Sequence, residues 1–161
     1  MDNYLGIFID DDEKNFEAIQ RSLKNKEIEL LPYEGLPDDI DLIFERIVKE
    51  NVDFIIIDYD LSKQSVAYSG MDVLEKIREQ DSEVYIIYLT NKDFVTEYIG
   101  DFDQAIKKKD FPKEIDNIVS RLKRALSRDL SIKNEREIQN TYNLQKAYFD
   151  KQLKMLEDSL Q

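Results

Sequence analysis

Two sets of carboxylates stand where apolar runs stop, and that placement is the first hint of chemistry. Asp58 and Asp60 follow Phe54-Ile55-Ile56-Ile57 with one residue between them, and Asp10, Asp11 and Asp12 follow Leu5-Gly6-Ile7-Phe8-Ile9. Thr90 closes a third run, Val84–Leu89, and Lys107, Lys108 and Lys109 follow a fourth, Gln104-Ala105-Ile106. Two unit charges ~4 Å apart interact by about 1 kcal/mol in water and about 4 kcal/mol near a protein surface, so clustered carboxylates call for a cation. The chain has no cysteine and no histidine, which leaves oxygen as the metal ligand and favours a hard ion such as Mg2+. A carboxylate is also a competent nucleophile towards phosphorus and yields an acyl phosphate. A lysine and a hydroxyl at the rim of such a cluster can hold phosphoryl oxygens. Each signal alone has a bland reading: an Asp caps a turn, and a lysine run is a solvated face. Only their convergence would be specific.

Convergence requires that the four runs lie side by side. Tyr4–Ile9, Phe54–Ile57 and Val84–Leu89 are β-prone without helical spacing, which marks strands buried on both faces of a sheet. Ile28–Leu31 alternates weakly and reads as an edge-side strand, and Gln104–Lys107 as a brief one. Between them, Phe16, Ile19 and Leu23, then Ile40, Ile43, Ile47 and Val48, then Met71, Val73, Leu74 and Ile77 fall at helical spacing. Pro37 and Pro112 are placed to open helices, the second carrying Ile115, Ile118, Val119 and Leu122, and a short helix is expected between Lys92 and Tyr98. Strand and helix thus alternate through the first ~125 residues, the pattern of a doubly wound five-stranded parallel sheet with helices on both faces. In such sheets ligands sit beyond the carboxyl ends of the strands, where all the candidate groups stand.

The chain is 161 residues long, 36% charged, with a net charge of −12, which argues against broad nucleic-acid binding. Residues 1–120 carry 14 Lys/Arg against 29 Asp/Glu, and residues 121–161 carry 9 against 6. The shift from acidic to mildly basic after residue 120 hints at a boundary near residue 125, between a body of residues 1–126 and an extension of residues 127–161. No basic apolar leader and no run of 18 apolar residues occurs, so a cytoplasmic location and no membrane are expected. Neither Gly nor Pro occurs after Lys113, and Tyr142, Phe149, Leu153, Leu156 and Leu160 form a near-heptad stripe with Lys146 as its polar member. The stripe is out of phase with residues 115–126, so a joint is expected within 127–137. As a helix, the extension would span roughly 50 Å against a body radius of ~14 Å, too long to lie flat on the body without folding back. A homodimer through residues 138–160, as a coiled coil, or docking on a protein partner would hide the stripe.

Ile7–Asp12, Phe54–Asp58, Gly70–Arg78, Ile86–Thr90 and Ala105–Lys108 together resemble the receiver domain of two-component response regulators. The resemblance spans about residues 3–125 and implies a flavodoxin-like sheet of order 2-1-3-4-5. It implies that Asp58 accepts a phosphoryl group from the phosphohistidine of a histidine kinase or phosphotransfer protein. It further implies Mg2+ on Asp11 and Asp58, with Asp10 acting through water and Asp60 through its backbone carbonyl. Thr90 would bind a phosphoryl oxygen, and Lys108 would pair with the group. Such a domain is a signalling switch, not an enzyme beyond slow autodephosphorylation, and this one would signal through protein contacts. A 35-residue tail is too short for a helix-turn-helix module.

The chain departs from the family pattern in four places. An insert Ser62–Ser69 stands where a proline is usual, the segment from Thr90 to Lys108 is short, Ala105 replaces an aromatic, and Lys109 replaces a proline. These favour a divergent output face, and they keep open a pseudo-receiver that binds or dimerises without phosphorylation. A minor alternative is a haloacid-dehalogenase-like phosphatase, on the likeness of Asp58-Tyr59-Asp60 and Leu89-Thr90-Asn91 to its motifs.

Overall fold

A computed structural model describes residues 3–10, 12–61, 66–91, 101–128 and 130–160. The body is a five-stranded parallel sheet of order β2-β1-β3-β4-β5, as the sequence pattern implies. Its strands are β1 (Tyr4–Ile9), β2 (Ile28–Pro32), β3 (Phe54–Asp58), β4 (Tyr85–Thr90) and β5 (Gln104–Lys107). The helices are α1 (Glu13–Leu23), α2 (Asp41–Glu50), α3 (Gly70–Gln80), α4 (Ile115–Leu126) and α5 (Leu130–Ser159).

β3 sits at the centre, and Phe54, Ile55, Ile56 and Ile57 are all fully buried because helices cover both of its faces. Alternation along the strands sorts two cores. Ile7, Ile9, Ile55 and Ile57 pack with α2 and α3, through Ile43, Ile47, Val73 and Ile77. Phe8, Phe54 and Ile56 face the other way, against Ile19 and Leu23 of α1 and Ile118 and Leu122 of α4. Gly6 makes room for the second core, since a Cβ there would stand 2.2 Å from the Phe54 ring.

Helix starts follow local chemistry. Asp12 caps α1 by accepting from the backbone N–H of Lys14 and Asn15. Ser69 and Asp72 form a reciprocal capping box at the start of α3. Asn51 ends α2 in the left-handed conformation (φ 51°). One start differs from the sequence reading. Pro112 lies in a turn, and α4 begins only at Ile115, because the chain first makes a 3-10 turn over Lys108–Asp110 and inserts Phe111, fully buried, into the core. The helix expected between Lys92 and Tyr98 lies outside the described residues.

α4 and α5 are separate helices, with Ser127 ending the first and Leu130 starting the second, inside the region where a joint is expected. α5 has 30 residues, about 45 Å of helix. It docks on its own body, and through a polar edge rather than the apolar stripe. Arg136 donates to the Val52 carbonyl (3.0 Å), Asn140 to Asp81 Oδ2 (2.6 Å) and Asn143 to the Gln80 carbonyl (2.9 Å). Lys151 then reaches Asp41 at 3.5 Å. Residues 145–160 are all exposed, so the second half of the helix leaves the body uncovered.

Candidate functional site

Register brings the predicted residues together. Ile9 pairs with Ile57, which sets Asp10 beside Asp58 at the ends of β1 and β3. Asp58 pairs with Leu89 and Thr90 with Lys107, so Thr90 and Lys108 each lie one step further round the same rim. Residue 11 lies outside the described residues, so Asp11 stands only as the next position after Asp10.

Asp58 is fully buried, and its two oxygens differ. Oδ1 accepts from the backbone N–H of Asp60 at 3.0 Å, which tethers the loop leaving β3. Oδ2 faces Lys108 Nζ at 2.5 Å, off hydrogen-bonding geometry, so the contact is an ion pair and Oδ2 keeps no hydrogen bond. The Lys108 ammonium also stands 5.5 Å from the centre of the Tyr59 ring, whose hydroxyl accepts from Asn91 Nδ2 at 2.8 Å.

Asp10 is nearly buried and held on both sides. Its Oδ1 accepts from the Asp12 backbone N–H (3.0 Å) and its Oδ2 from Asn15 Nδ2 (2.9 Å). Burial first, and then the Asp10 carboxyl alongside, push the Asp58 carboxyl up to about 7, against the opposing pull of Lys108 and the Asp60 N–H. A buried carboxylate set beside a second one calls for a cation between them.

The donor set fits a hard divalent ion. Asp58 Oδ2 is buried without a hydrogen bond, Asp10 lies beside it, and every available donor is oxygen. Among the described residues no group of three metal-ligating side chains forms, so a third carboxylate would come from Asp11. Asp60 enters the described site through its backbone N–H on Asp58. Thr90 sits at the end of β4, half-buried, on the rim shared with Lys107.

Three positioning residues escaped the sequence reading: Asn15, Tyr59 and Gly70. Asn15 carries a visible signal, lying in the first turn of a helix that starts just after the acidic triplet. Gly70 has a steric one. A Cβ at Gly70 would stand 2.1 Å from the Asp58 carbonyl oxygen and 2.9 Å from Tyr59 Cα, both backbone atoms that cannot swing aside. Its own N–H donates to the Tyr59 carbonyl at 3.3 Å, so α3 is seated directly on the strand end that carries Asp58. Gly70→Ala is therefore expected to destabilise the fold by about 1–3 kcal/mol through overpacking. Urea unfolding checks it, and a stability equal to wild type would show that the contact yields freely.

The chain matches the response regulator receiver domain model over residues 7–120, and it belongs to that family. The match leaves the phosphatase alternative without support. No curated protein sequence matches the chain. Among solved structures, the fold resembles the response regulator TrrA of Thermotoga maritima in complex with Mg2+ and BeF, at 21% identity and TM-score 0.57, covering 76% of this chain and 99% of that one. It resembles the Francisella response regulator 1452 receiver domain at 22% identity and TM-score 0.60, covering 78% and 98%. It also resembles the receiver domain of a Pseudomonas aeruginosa sensor histidine kinase with magnesium in its active-site cleft, at 17% identity and TM-score 0.57, covering 74% and 97%.

Proposed function

We propose that this receiver takes a phosphoryl group onto Asp58 in a Mg2+-dependent reaction and passes the signal through protein contacts. The observation that carries it is Asp58 itself: fully buried, one oxygen tethered by the Asp60 N–H, the other free of hydrogen bonds and faced by Lys108. Oδ2 is the nucleophile. It attacks the phosphorus of a phosphohistidine on a histidine kinase or phosphotransfer protein; the O–P bond forms, the P–N bond breaks, and the imidazole leaves with its electron pair.

Asp10, Asp11 and Asp58, with the Asp60 carbonyl, would hold Mg2+, which neutralises charge on the phosphoryl oxygens when bound. Lys108 follows the nucleophile's charge onto the new phosphoryl group, and the Thr90 hydroxyl donates to one of its oxygens. Asn15 and the Asp12 N–H keep Asp10 aimed at the site. The other exposed surface available for partners is α5, the one element that the family match does not cover.

Acetyl phosphate with Mg2+ is expected to label the protein, and Asp58→Asn to remove the label. Label retained in Asp58→Asn would overturn the assignment. A wild type that takes no label and does not respond to millimolar Mg2+ by tyrosine fluorescence would be a pseudo-receiver, a binding module that has kept the fold alone.

A further inference from the structure

We infer that α5 pairs with α5 of a second copy of this chain, antiparallel, about a two-fold axis at Lys151. Tyr142, Phe149, Leu153, Leu156 and Leu160 project along one seam of the helix and are 43–86% exposed. Together they leave on the order of 700 Å² of mostly apolar side-chain surface in water, above the roughly 300–600 Å² of an ordinary monomer's largest patch. It approaches the ~800 Å² that one partner brings to a standard interface.

The helix itself needs the cover. Residues 145–160 are all exposed, and among the described contacts it is the Lys151–Asp41 ion pair that ties this segment to the body. A free helical segment of about 15 residues is marginal in water, and helices of this kind draw their stability from packing an apolar face. The polar clamp at Arg136, Asn140 and Asn143 fixes the first half on the body and turns the seam outward.

Register decides the orientation. Parallel pairing in register would stack Lys146 on its own copy in the middle of the seam. Reversing one helix about Lys151 sets Tyr142 opposite Leu160 of the second copy, Phe149 opposite Leu153, and Lys146 opposite Leu156, where its stem covers the leucine and its ammonium reaches water. The helix dipoles then oppose each other favourably. Asp150 meets its own copy at the rim, one turn from Lys146 and from Lys154 on its own helix, in exposed positions where such charges interact weakly. Residues 145–160 of each copy lie against residues 142–157 of the other, so the two projecting segments cover each other. The contact is self-complementary and closed, as a two-fold interface requires.

Light scattering on the full-length protein is expected to give twice the 19.1 kDa chain mass at micromolar concentration. Leu153→Glu with Leu156→Glu is expected to weaken association by ~100-fold or more while leaving acetyl phosphate labelling of Asp58 intact. The chain has no cysteine, so orientation can be read cleanly by oxidative cross-linking. Tyr142→Cys with Leu160→Cys is expected to give a disulfide-linked dimer, and Leu160→Cys alone none. A monomeric wild type would overturn the pairing and assign the seam to a different protein. A glutamate variant that stays dimeric would move the interface elsewhere, and cross-linking of Leu160→Cys alone would make the pair parallel. Labelling and mass are separate readings, so the dimer and the phosphoacceptor stand or fall independently.

Discussion

Asp58→Asn is expected to stabilise the metal-free protein at pH 8 by on the order of 2–4 kcal/mol, the reverse of what loss of an ion pair suggests. The Asp58 carboxyl is fully buried and pushed up to about 7, from an ordinary value of 3.8, chiefly by burial and then by Asp10. The folded state thus holds a proton that the unfolded chain has already released. Between about pH 4 and pH 7 the native protein binds more protons than the unfolded one, so stability falls as pH rises through that window and is lowest above it. Asparagine keeps the shape, can still accept from the Asp60 N–H, and has nothing to ionise. Lys108, a quarter exposed, can turn to water when its partner loses its charge. Denaturant unfolding from pH 5 to pH 8 is expected to show a falling curve for wild type and a nearly flat one for the variant. Mg2+ should recover the difference in wild type alone and release a proton as it binds. Parallel curves for the two proteins would mean that Asp58 ionises like an exposed carboxylate.

The same residue shows how far the sequence could be read. Four apolar β-prone residues before Asp58 read as a strand covered on both faces, and the strand–helix alternation around it leaves few topologies to choose among. Once the strands are parallel and neighbouring, Asp10 beside Asp58 is a matter of counting. Lys108 rather than Lys107 or Lys109 faces Asp58 because β5 ends at Lys107 and the 3-10 turn swings the next side chain over the site. What could not be read depends on contacts far apart in the chain. Asn15 and Gly70 have ordinary helix-start identities; only the fold reveals that one holds Asp10 and the other abuts the Asp58 backbone. In the extension the apolar stripe is the visible pattern, whereas Arg136, Asn140 and Asn143, also at helical spacing, do the docking. Hydrophobic periodicity says nothing about a polar edge whose partners are Val52, just before β3, and the end of α3.

That polar edge is anchored on one buried carboxylate, and Asp81→Ala is expected to cost about 3–5 kcal/mol and to loosen α5. Asp81 is 4% exposed and ends α3. Its Oδ1 accepts from the backbone N–H groups of Glu83 (2.8 Å) and Val84 (3.1 Å), which bend the chain into β4. Its Oδ2 accepts from Asn140 at 2.6 Å and faces Arg136 Nε at 3.6 Å. Arg136 is itself only 11% exposed, and its Nε has no hydrogen bond, so the Asp81 charge is what makes its burial tolerable. Alanine would strand a buried guanidinium and two backbone donors at once. Arg136→Ala is the milder change, on the order of 1–2 kcal/mol, because Asp81 retains three hydrogen bonds. Urea unfolding should order the two variants, and limited proteolysis should cut Asp81→Ala between α4 and α5 faster than wild type. The double variant is expected to be less destabilised than the sum of the singles by about 1–3 kcal/mol, since removing Arg136 first takes away the charge that Asp81 compensates. Strict additivity would mean that the two groups merely sit near each other, and that Asn140 and Asn143 hold α5 without them.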